Sequence, residues 1–380
     1  MVCAALLFPR IVTVEAAAAL GKDVPRKENN DDYLSTRRVW RAASYHMMST
    51  RLSLSIALAT YNGERYLGEQ LDSIARQTRL PDELVISDDA SVDATPAIVR
   101  DFAQRVPFPV RFQTNSERLG STRNFETAIR ACAGDIIFLC DQDDVWYRDK
   151  IALIEERFIS DPGVGAVFTD ADVVDQDLRP FGSRLWKAVR FGPEEQAQIA
   201  AHDALSVLLR HPVVTGATMA FRATYRDLVL PMPDIWHDAW IALVIGATSH
   251  LAALPTPLIA YRQHSANQIG APRRGKNRAI GLPRRRKSRG KSFTVIYSPW
   301  VLCYELLQKR LLTSADRLPD VRRQMSRLEE KLVFLRARIA LPPARWRRLP
   351  SALRELAAQR YHRYAWGLES FFADLWKRYS

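Results

Sequence analysis

The stretch Cys140–Lys150, CDQDDVWYRDK, places three aspartates within four positions, directly after the apolar run IIFLC. Asp141 and Asp143 lie two residues apart, so in extended backbone their side chains share one side of the chain. Carboxylates this close repel one another unless a positive group lies between them. Two or three carboxylates suit a hard cation, Mg²⁺ or Mn²⁺, that completes its shell with water and phosphate oxygens. The pattern favours a metal-assisted diphosphate site, with a solvated turn as the alternative.

Three further polar clusters follow apolar runs that are typical of buried strands. They are residues 60–63 (TYNG), 87–89 (SDD) and 115–120 (NSERLG). Ligands of an open α/β sheet bind at the carboxyl ends of its strands, so all four clusters are expected at one edge. A dinucleotide site would need GxGxxG after the first strand, and ATYNGERYLG lacks that spacing. This argues against a dinucleotide, but not against nucleotide binding in general.

The elements that must position these clusters alternate between strand and helix. Apolar runs predict strands at LSLSIALA, ELVISDD, PVRFQ, DIIFLC and VGAVFTD, and helical periodicity predicts helices at ERYLGEQLDSIARQT, ATPAIVRDFAQRV, STRNFETAIRAC and about 148–159. Such alternation favours an α/β fold with a mostly parallel sheet flanked by helices. Beyond Phe191 we expect a short helix at 204–209, a strand at VVTGATMAFR and a helix around DAWIALVIGA. LAALPTPLIAYRQH is expected to be extended because of its two prolines.

The chain has 380 residues, of which 47% are hydrophobic, and can bury a substantial core. We expect an unstructured leader at 1–50, an α/β domain at 51–270, a polybasic linker at 271–292 and a helical extension at 293–380. The extension is expected to be helical because Met325, Leu328, Leu332 and Leu335 recur at spacings of three and four.

The four cysteines (Cys3, Cys132, Cys140 and Cys303) are far apart and form no CxxC pair. This predicts a reducing compartment without a disulfide framework or zinc knuckle. No run reaches the roughly 18 apolar residues of a membrane span, and the first residues lack the order of a secretory signal. We therefore expect a cytoplasmic location.

The formal net charge is +13, and residues 272–291 hold ten Arg or Lys and no acid. Such a block attracts anions, whether nucleic acid, an anionic membrane face or a phosphorylated ligand. Aromatic and aliphatic residues follow it (Phe293, Tyr297, Trp300, Leu302 and Tyr304), which favours peripheral binding to the inner face of the plasma membrane. A basic linker leading to a helical packing or dimer element fits equally well.

From about Ser53 to Gly270 the sequence resembles the inverting family-2 glycosyltransferases, which have a GT-A fold. The resemblance rests on seven ordered motifs: IALATYNGERYLGEQLDSIARQT, LVISDDASVDAT, NSERLGSTRNFETAI, GDIIFLCDQDDVWYRDKI, VTGATMAF, HDAW and YRQHSANQIG. DQDDVW, HDAW and YRQH are most similar to bacterial rhamnosyltransferases of surface polysaccharide synthesis. The resemblance implies transfer of a sugar, rhamnose in that subgroup, from a dTDP or UDP donor to a saccharide or lipid-linked saccharide.

The resemblance also implies the residues that hold the nucleotide. Either Asp88 or Asp89 would accept a hydrogen bond from a pyrimidine N3–H, because a carboxylate accepts and cannot donate. The full implied nucleotide set is Thr60, Tyr61, Asn62, Asp88, Asp89, Asn115, Gly120, Asn124 and Asp141.

For catalysis the resemblance implies that Asp238 is the base that deprotonates the attacking hydroxyl, with His237 beside it. The implied metal ligands are Asp143, His264 and, nearer the ribose, Asp141. The implied donor-sugar and acceptor residues are Asp144, Trp146, Thr215, Gly216, His237 and Arg262.

Two other functions compete with this interpretation. A sugar nucleotidyltransferase also uses a nucleotide, Mg²⁺ and carboxylates, but it usually has a Gly-rich loop with a basic residue after the first strand. A non-enzymatic nucleic-acid-binding protein would use the basic block and leave the acidic cluster unexplained. We therefore expect no nucleic-acid partner.

Overall fold

The computed structural model of the chain describes residues 51–264, 292–313 and 321–377. The expected leader at 1–50 and residues 271–291 of the expected linker lie outside these ranges.

Nine strands form one sheet in the described part of the chain, in the order β3-β2-β1-β4-β8-β6-β9-β5, with β7 beside β6. The strands β1 to β4 are parallel, whereas β8 runs antiparallel between β4 and β6. The bounds are β1 Leu54–Thr60, β2 Glu83–Asp88, β3 Val110–Thr114, β4 Ile136–Asp141, β5 Val145–Trp146, β6 Val164–Asp175, β7 Pro180–Arg184, β8 Met219–Arg222 and β9 His250–Gln263. The parallel half brings the ends of β1 to β4 to one edge.

The helices fall into two groups. Those of the sheet region are α1 Leu67–Ala75, α2 Thr95–Ala103, α3 Ser121–Ala131, α4 Lys150–Ser160, α5 Leu185–Ala188, α6 Pro193–Ala200, α7 Ala204–Arg210, α8 Arg226–Val229 and α9 His237–Thr248. The C-terminal ones are α10 Phe293–Thr313, α11 Val321–Ile339, α12 Leu349–Ala357, α13 Arg360–Tyr364 and α14 Leu368–Trp376. Short 3-10 turns occupy Gly216–Thr218, Ala223–Tyr225 and Arg345–Arg348.

The two faces of the sheet bury different helices. On β1, Ile56 and Leu58 pack with apolar residues of α1, α2 and α4, whereas Ala57 packs with those of α3 and α9. The split follows from strand geometry, because successive side chains point to opposite faces. The predicted α/β fold with flanking helices is confirmed, with the parallel arrangement in β1–β4 and a mixed one beyond.

The strand predicted at VVTGATMAFR is wrong in its first half, because β8 begins only at Met219. The backbone N–H and the hydroxyl of Thr218 both donate to the Thr215 carbonyl, at 2.9 and 2.8 Å, which closes a 3-10 turn in front of the strand. The extended segment predicted at LAALPTPLIAYRQH is confirmed as β9. It tolerates its prolines because its pairing with β6 shifts register opposite Pro257.

The C-terminal helices share a core with the sheet domain. Leu307 of α10 and Leu332 of α11 are fully buried in the same cluster as Trp240 of α9. The three cysteines in the described ranges are buried free thiols. None of the helices described is long and apolar enough to cross a membrane.

A buried ion pair ties α11 to α14. The Arg338 guanidinium donates to both carboxylate oxygens of Asp374, at 2.6 and 2.7 Å, and the Tyr361 hydroxyl donates to the same carboxylate at 2.9 Å. Arg348, which is fully buried, donates to the carbonyls of Asp374 and Lys377. These bonds fix the last helix onto the extension.

We predict that Arg338→Ala lowers the free energy of unfolding by about 3–5 kcal/mol, because it leaves the Asp374 carboxylate buried without its partner. Urea denaturation measures the change. The matched control is Arg336→Ala on the same helix, where the pair with Glu305 is half exposed and should cost no more than about 1 kcal/mol. Equal losses in the two variants would contradict the prediction.

Candidate functional site

The end of β2 is held by its own carboxylates. Asp88 is fully buried and accepts hydrogen bonds from the Thr60 hydroxyl at 2.7 Å and from the Ser91 N–H and hydroxyl at 2.9 and 2.5 Å. Asp89 accepts from the N–H groups of Leu119 and Gly120, at 2.7 and 2.9 Å. Both carboxylates thus brace neighbouring loops, and their contact with a pyrimidine stays a prediction.

The loop after β3 closes onto the same edge. Asn124 donates to the Thr60 carbonyl at 3.1 Å, and Asn115 donates to the Asn124 side chain at 3.0 Å. Gly120 has φ +85°, which a residue with a Cβ rarely adopts. The predicted residues Thr60, Asn115, Gly120 and Asn124 therefore form one connected hydrogen-bonded edge.

The loop after β1 is fixed by a residue that the motif search did not single out. The Gln142 side chain accepts from the Tyr61 N–H at 2.8 Å and donates to the Tyr61 carbonyl at 3.0 Å. Asn62, in left-handed backbone (φ 46°), accepts from the Val92 N–H at 3.0 Å. The Arg118 guanidinium lies 4.1 Å from the Tyr61 ring centre, so Tyr61 already has a cationic neighbour at the edge of the site.

Four aspartates share the site. Burial raises the pKa of Tyr261, and Asp144, Asp141, Asp143 and Asp238 raise it further, which places all four within electrostatic range of one hydroxyl. Burial, then Asp143 and Asp238, raise the pKa of Asp141 to about 7. Carboxylates at the end of β4 and in the first turn of α9 are thus close enough to influence one another electrostatically.

A buried lysine offsets part of this charge. Lys150 is fully buried, donates to the Ala217 carbonyl at 2.5 Å and lies 4.2 Å from the Trp146 ring centre. Burial lowers the pKa of Lys150 to about 7, against the opposing effect of Cys140, Asp144 and Asp141. Sequence inspection missed Lys150, although its place six residues after Asp144 in CDQDDVWYRDK was a usable signal.

Arg262 holds the acidic loop in place through several hydrogen bonds. It is 1% exposed, and its guanidinium donates to the carbonyls of Asp143 and Gln176, at 2.7 and 2.5 Å, and to the Glu69 carboxylate. Its backbone N–H donates to Asp144 at 2.8 Å. The structure gives Arg262 a positioning role and does not present its guanidinium to a sugar or phosphate.

Asp144 and Trp146 are 1% and 3% exposed and do not line an open sugar pocket. Burial raises the pKa of Asp144 well above its usual range, followed by Asp143 and Asp141. One oxygen of this carboxylate, Oδ2, is buried without a hydrogen-bond partner. Trp146 packs against Phe138 in the core beneath the acidic loop, so it can shape a sugar pocket only through the residues above it.

His264 and Asp143 are in direct contact, with Nε2 and Oδ2 2.8 Å apart. The His264 ring also stacks on Tyr66, with ring centres 4.7 Å apart. Among the residues described, no three His, Cys, Asp or Glu side chains converge as a ready metal site in this arrangement. The donor set nevertheless suits a hard divalent cation, because the Asp143 carboxylate and the His264 ring nitrogen lie 2.8 Å apart and Asp141 ends the strand two residues earlier.

Asp238 lies in the first turn of α9 with a fixed orientation. It accepts from the Gly216 N–H at 3.0 Å and from the Ala239 N–H at 2.7 Å. His237 stacks on Phe125 with ring centres 4.0 Å apart, and burial lowers its pKa. A Cβ at position 216 would lie 2.7 Å from His237 Nε2, so Gly216 makes room for the ring. The 3-10 turn from Thr215 thus serves as the support for both residues.

A cleft of about 410 Å³ opens beside this pair. Its walls come from the start of α3, the segment 234–236 before Asp238, and Pro299 and Trp300 of α10. The rings of Trp236 and Trp300 meet edge to face, 6.1 Å apart. The C-terminal extension therefore contributes a wall next to the aspartate that was predicted as the base.

Together these features define an α/β domain whose polar site lies at the carboxyl edge of four parallel strands. Residues 55–222 match the family described as Glycosyl transferase family 2. This match agrees with the family resemblance, and the α/β fold is the one predicted.

Individual proteins similar to the chain include an uncharacterized protein of Mycobacterium tuberculosis, 32% identical over 56% of this chain and 59% of that one. The dTDP-rhamnosyl transferase RfbG of Shigella flexneri is 26% identical over 56% of this chain and 74% of that one. A crystal structure of S. aureus TarS gives a TM-score of 0.49 at 14% identity, over 75% of this chain and 43% of that one. The chain spans about three fifths of the length of the mycobacterial relative.

We predict that Asp141→Asn stabilises the metal-free protein, because it removes a carboxyl group whose ionisation is opposed by burial and by Asp143 and Asp238. The gain should grow as the pH rises from the ordinary pKa of 3.8 to about 7, because over this range the unfolded carboxyl ionises while the folded one keeps its proton. Thermal unfolding in chelator at pH 5 and pH 8 measures it, with a rise in Tm on the order of 2 °C or more at pH 8. Asp101→Asn, at an exposed position on α2, is the control. A larger gain at pH 5 would contradict the prediction.

Proposed function

We propose that the chain is an inverting glycosyltransferase that moves a sugar from a nucleoside-diphosphate donor, dTDP or UDP, to a saccharide or lipid-linked saccharide. The observation that carries this proposal is the shared electrostatic field of Asp141, Asp143 and Asp238, within a domain of the matching family. Two of these carboxylates come from the end of β4 and the third from α9, so donor and acceptor chemistry would meet between them.

On the donor side, the loops after β1, β2 and β3 would hold the nucleotide, with Tyr61 and Asn62 nearest to it. The similarity to a protein named dTDP-rhamnosyl transferase supports rhamnose as the first sugar to test. A divalent ion, Mg²⁺ or Mn²⁺, would be held by Asp143, with Asp141 and His264 beside it. When bound, it would neutralise the diphosphate leaving group.

On the acceptor side, Asp238 would take the proton of the attacking hydroxyl as the new bond to the anomeric carbon forms. Inversion follows because the nucleoside diphosphate leaves from the opposite face. The two backbone N–H groups that bond Asp238 fix the direction of its carboxylate. His237, kept neutral by burial, would position this turn without competing for the proton.

The cleft between Trp236 and Trp300 is the place we propose for the acceptor. Tryptophan rings offer a flat apolar surface with a polar edge, which suits the faces of sugar rings. Trp236 lies two residues before Asp238, so an acceptor held in the cleft lies beside the proposed base. Since lipid-linked acceptors lie at membranes, we also propose a cytoplasmic site of action at the inner face of the plasma membrane.

A sugar nucleotidyltransferase remains the alternative enzyme. It would activate a sugar phosphate with a nucleoside triphosphate and release pyrophosphate, so the two functions differ in product. Incubation with dTTP and sugar phosphates, followed by an assay for pyrophosphate, separates them from transfer or hydrolysis of dTDP-rhamnose.

We predict that Asp143→Ala abolishes metal-dependent donor binding and turnover, since it removes the carboxylate proposed to hold the ion nearest the diphosphate.

We predict that Asp238→Asn retains donor binding and loses transfer by about 100-fold or more, because an amide cannot accept the proton. Calorimetry with Mn²⁺ and dTDP-rhamnose or UDP-sugars measures binding, and product formation measures transfer. Unchanged transfer by Asp238→Asn would remove this residue as the base.

We predict that Trp300→Ala raises the acceptor KM about tenfold and leaves hydrolysis of the donor unchanged, because it removes one wall of the cleft only. A panel of octyl glycosides serves as acceptors. The control is Leu302→Ala on the same helix, which is 65% exposed and does not line the cleft. An unchanged acceptor KM for Trp300→Ala would exclude the cleft as the acceptor site.

A further inference from the structure

We propose that the outer surface of the C-terminal extension docks on an anionic membrane. The surface comprises the exposed apolar side chains of the turn Arg345–Arg348 and of helices α12 and α14, and we call it the tail surface. Its apolar members are Trp346, Leu349, Leu353, Leu368, Phe372 and Trp376. Trp346 is 75% exposed and Trp376 is 64% exposed, values that are unusual for tryptophan in a soluble domain.

The spacing of these residues makes stripes. Leu368, Phe372 and Trp376 recur every four residues along α14, and Leu349 and Leu353 do so on α12. Residues four apart lie on one face of a helix. The rings of Phe372 and Trp376 lie 6.1 Å apart, and the turn, α12 and α14 all contact one another. The exposed side chains therefore lie on three adjoining elements.

The opposite faces of these helices are already filled, so the stripes are not a core left open. Phe371 and Leu375 of α14 and Ala352 of α12 are buried in the shared core. The buried ion pair between Arg338 and Asp374 holds α14 in this orientation. A rigid scaffold thus presents the apolar side chains outwards.

The charges of the tail surface match an anionic bilayer. Arg345, Arg347 and Arg354 are exposed among the apolar residues. Two of the three acids of the same elements are buried and paired, Asp374 with Arg338 and Glu355 with Arg360. The third, Glu369, is exposed and pairs with Arg190 at 3.3 Å. Tryptophan, phenylalanine and leucine beside arginine suit the interface of lipid headgroups and acyl chains, where basic residues are attracted to anionic lipids.

The sequence also predicts a membrane contact at the basic block and the residues that follow it, and the block itself lies outside the described residues. Of the residues after the basic block, Phe293 and Tyr304 are buried, at 1% and 3% exposure, and Trp300 lines the cleft. Leu302 is 65% exposed, but it stands without a second exposed member of that group. The tail surface supplies six exposed apolar side chains, and it rests on the proposed function only for its purpose, access to a lipid-linked acceptor.

The test is flotation of the full chain with phosphatidylcholine vesicles, with and without phosphatidylglycerol, at low and high salt. We expect binding to the anionic vesicles that weakens with salt. The variant Trp346→Ser/Phe372→Ser/Trp376→Ser should bind about tenfold more weakly, since it removes the inserting side chains. The control is Ile159→Ser, at a position 53% exposed on α4 of the sheet domain, which should bind as the unmodified chain does. Circular dichroism and Tm confirm that each variant is folded, and Trp376→Ser alone replaces the triple variant if that one unfolds.

Three outcomes would overturn the proposal. The first is no binding of the unmodified chain to anionic vesicles, and the second is equal binding by the tail variant. The third is a dimer in light scattering that the tail variant converts to a monomer without loss of vesicle binding, which would make a second copy the occupant. Vesicle binding needs no turnover, so a chain that floats but transfers no sugar would refute the proposed function and leave the tail surface standing.

Discussion

Mutual repulsion of four carboxylates at one edge of the sheet is the constraint around which this molecule is arranged. Asp141 ends β4, Asp143 and Asp144 follow it, and Asp238 comes from the first turn of α9. Without a positive group nearby, these carboxylates would move apart or take up protons. Lys150, whose pKa burial lowers to about 7, is the buried basic group next to them, and Arg262 ties the backbone of the acidic loop to β9. Burial, followed by Asp143 and Asp238, still raises the pKa of Asp141 to about 7 against the lowering effect of Lys150.

The negative charge of these carboxylates favours binding of a cation at the site. A divalent cation would offset the carboxylates, and it would also offset the negative charge of a bound diphosphate. The surrounding loops are already braced, with Gln142 holding Tyr61 and Asp89 holding the turn at Gly120. A donor would therefore meet a largely preformed site, and little ordering free energy would be spent on binding it.

The C-terminal extension is part of this arrangement. Its helices α10 and α11 complete the core beneath α9, the helix that presents Asp238. Trp300 completes the cleft beside that aspartate, and α12 and α14 carry the tail surface. The same extension thus carries both the wall of the proposed acceptor cleft and the proposed membrane-binding surface, and the buried pair Arg338–Asp374 fixes its last helix.

Much of the fold was predictable from local pattern. Apolar runs and helical periodicity located β1 to β4 and the helices between them, because strand and helix periods are written in adjacent residues. The start of β8 was not predictable in this way, since VVTGATMAFR reads as one strand and only the hydrogen bonds to the Thr215 carbonyl close it into a turn. The two-residue strand β5 likewise depends on a partner distant in the chain, since Val145 pairs with Ala260 of β9.

The sequence by itself determined which residue types could carry the chemistry, namely the acidic run at Asp141–Asp144 and the His237-Asp238 pair. Only the tertiary structure decided their access. It buried Asp144, Trp146 and Arg262 and brought in Lys150 and Gln142. It also buried Phe293 and Tyr304 and exposed apolar side chains on α12 and α14. The physical reason is that exposure and charge pairing depend on packing between distant segments, which a run of neighbouring residues does not encode.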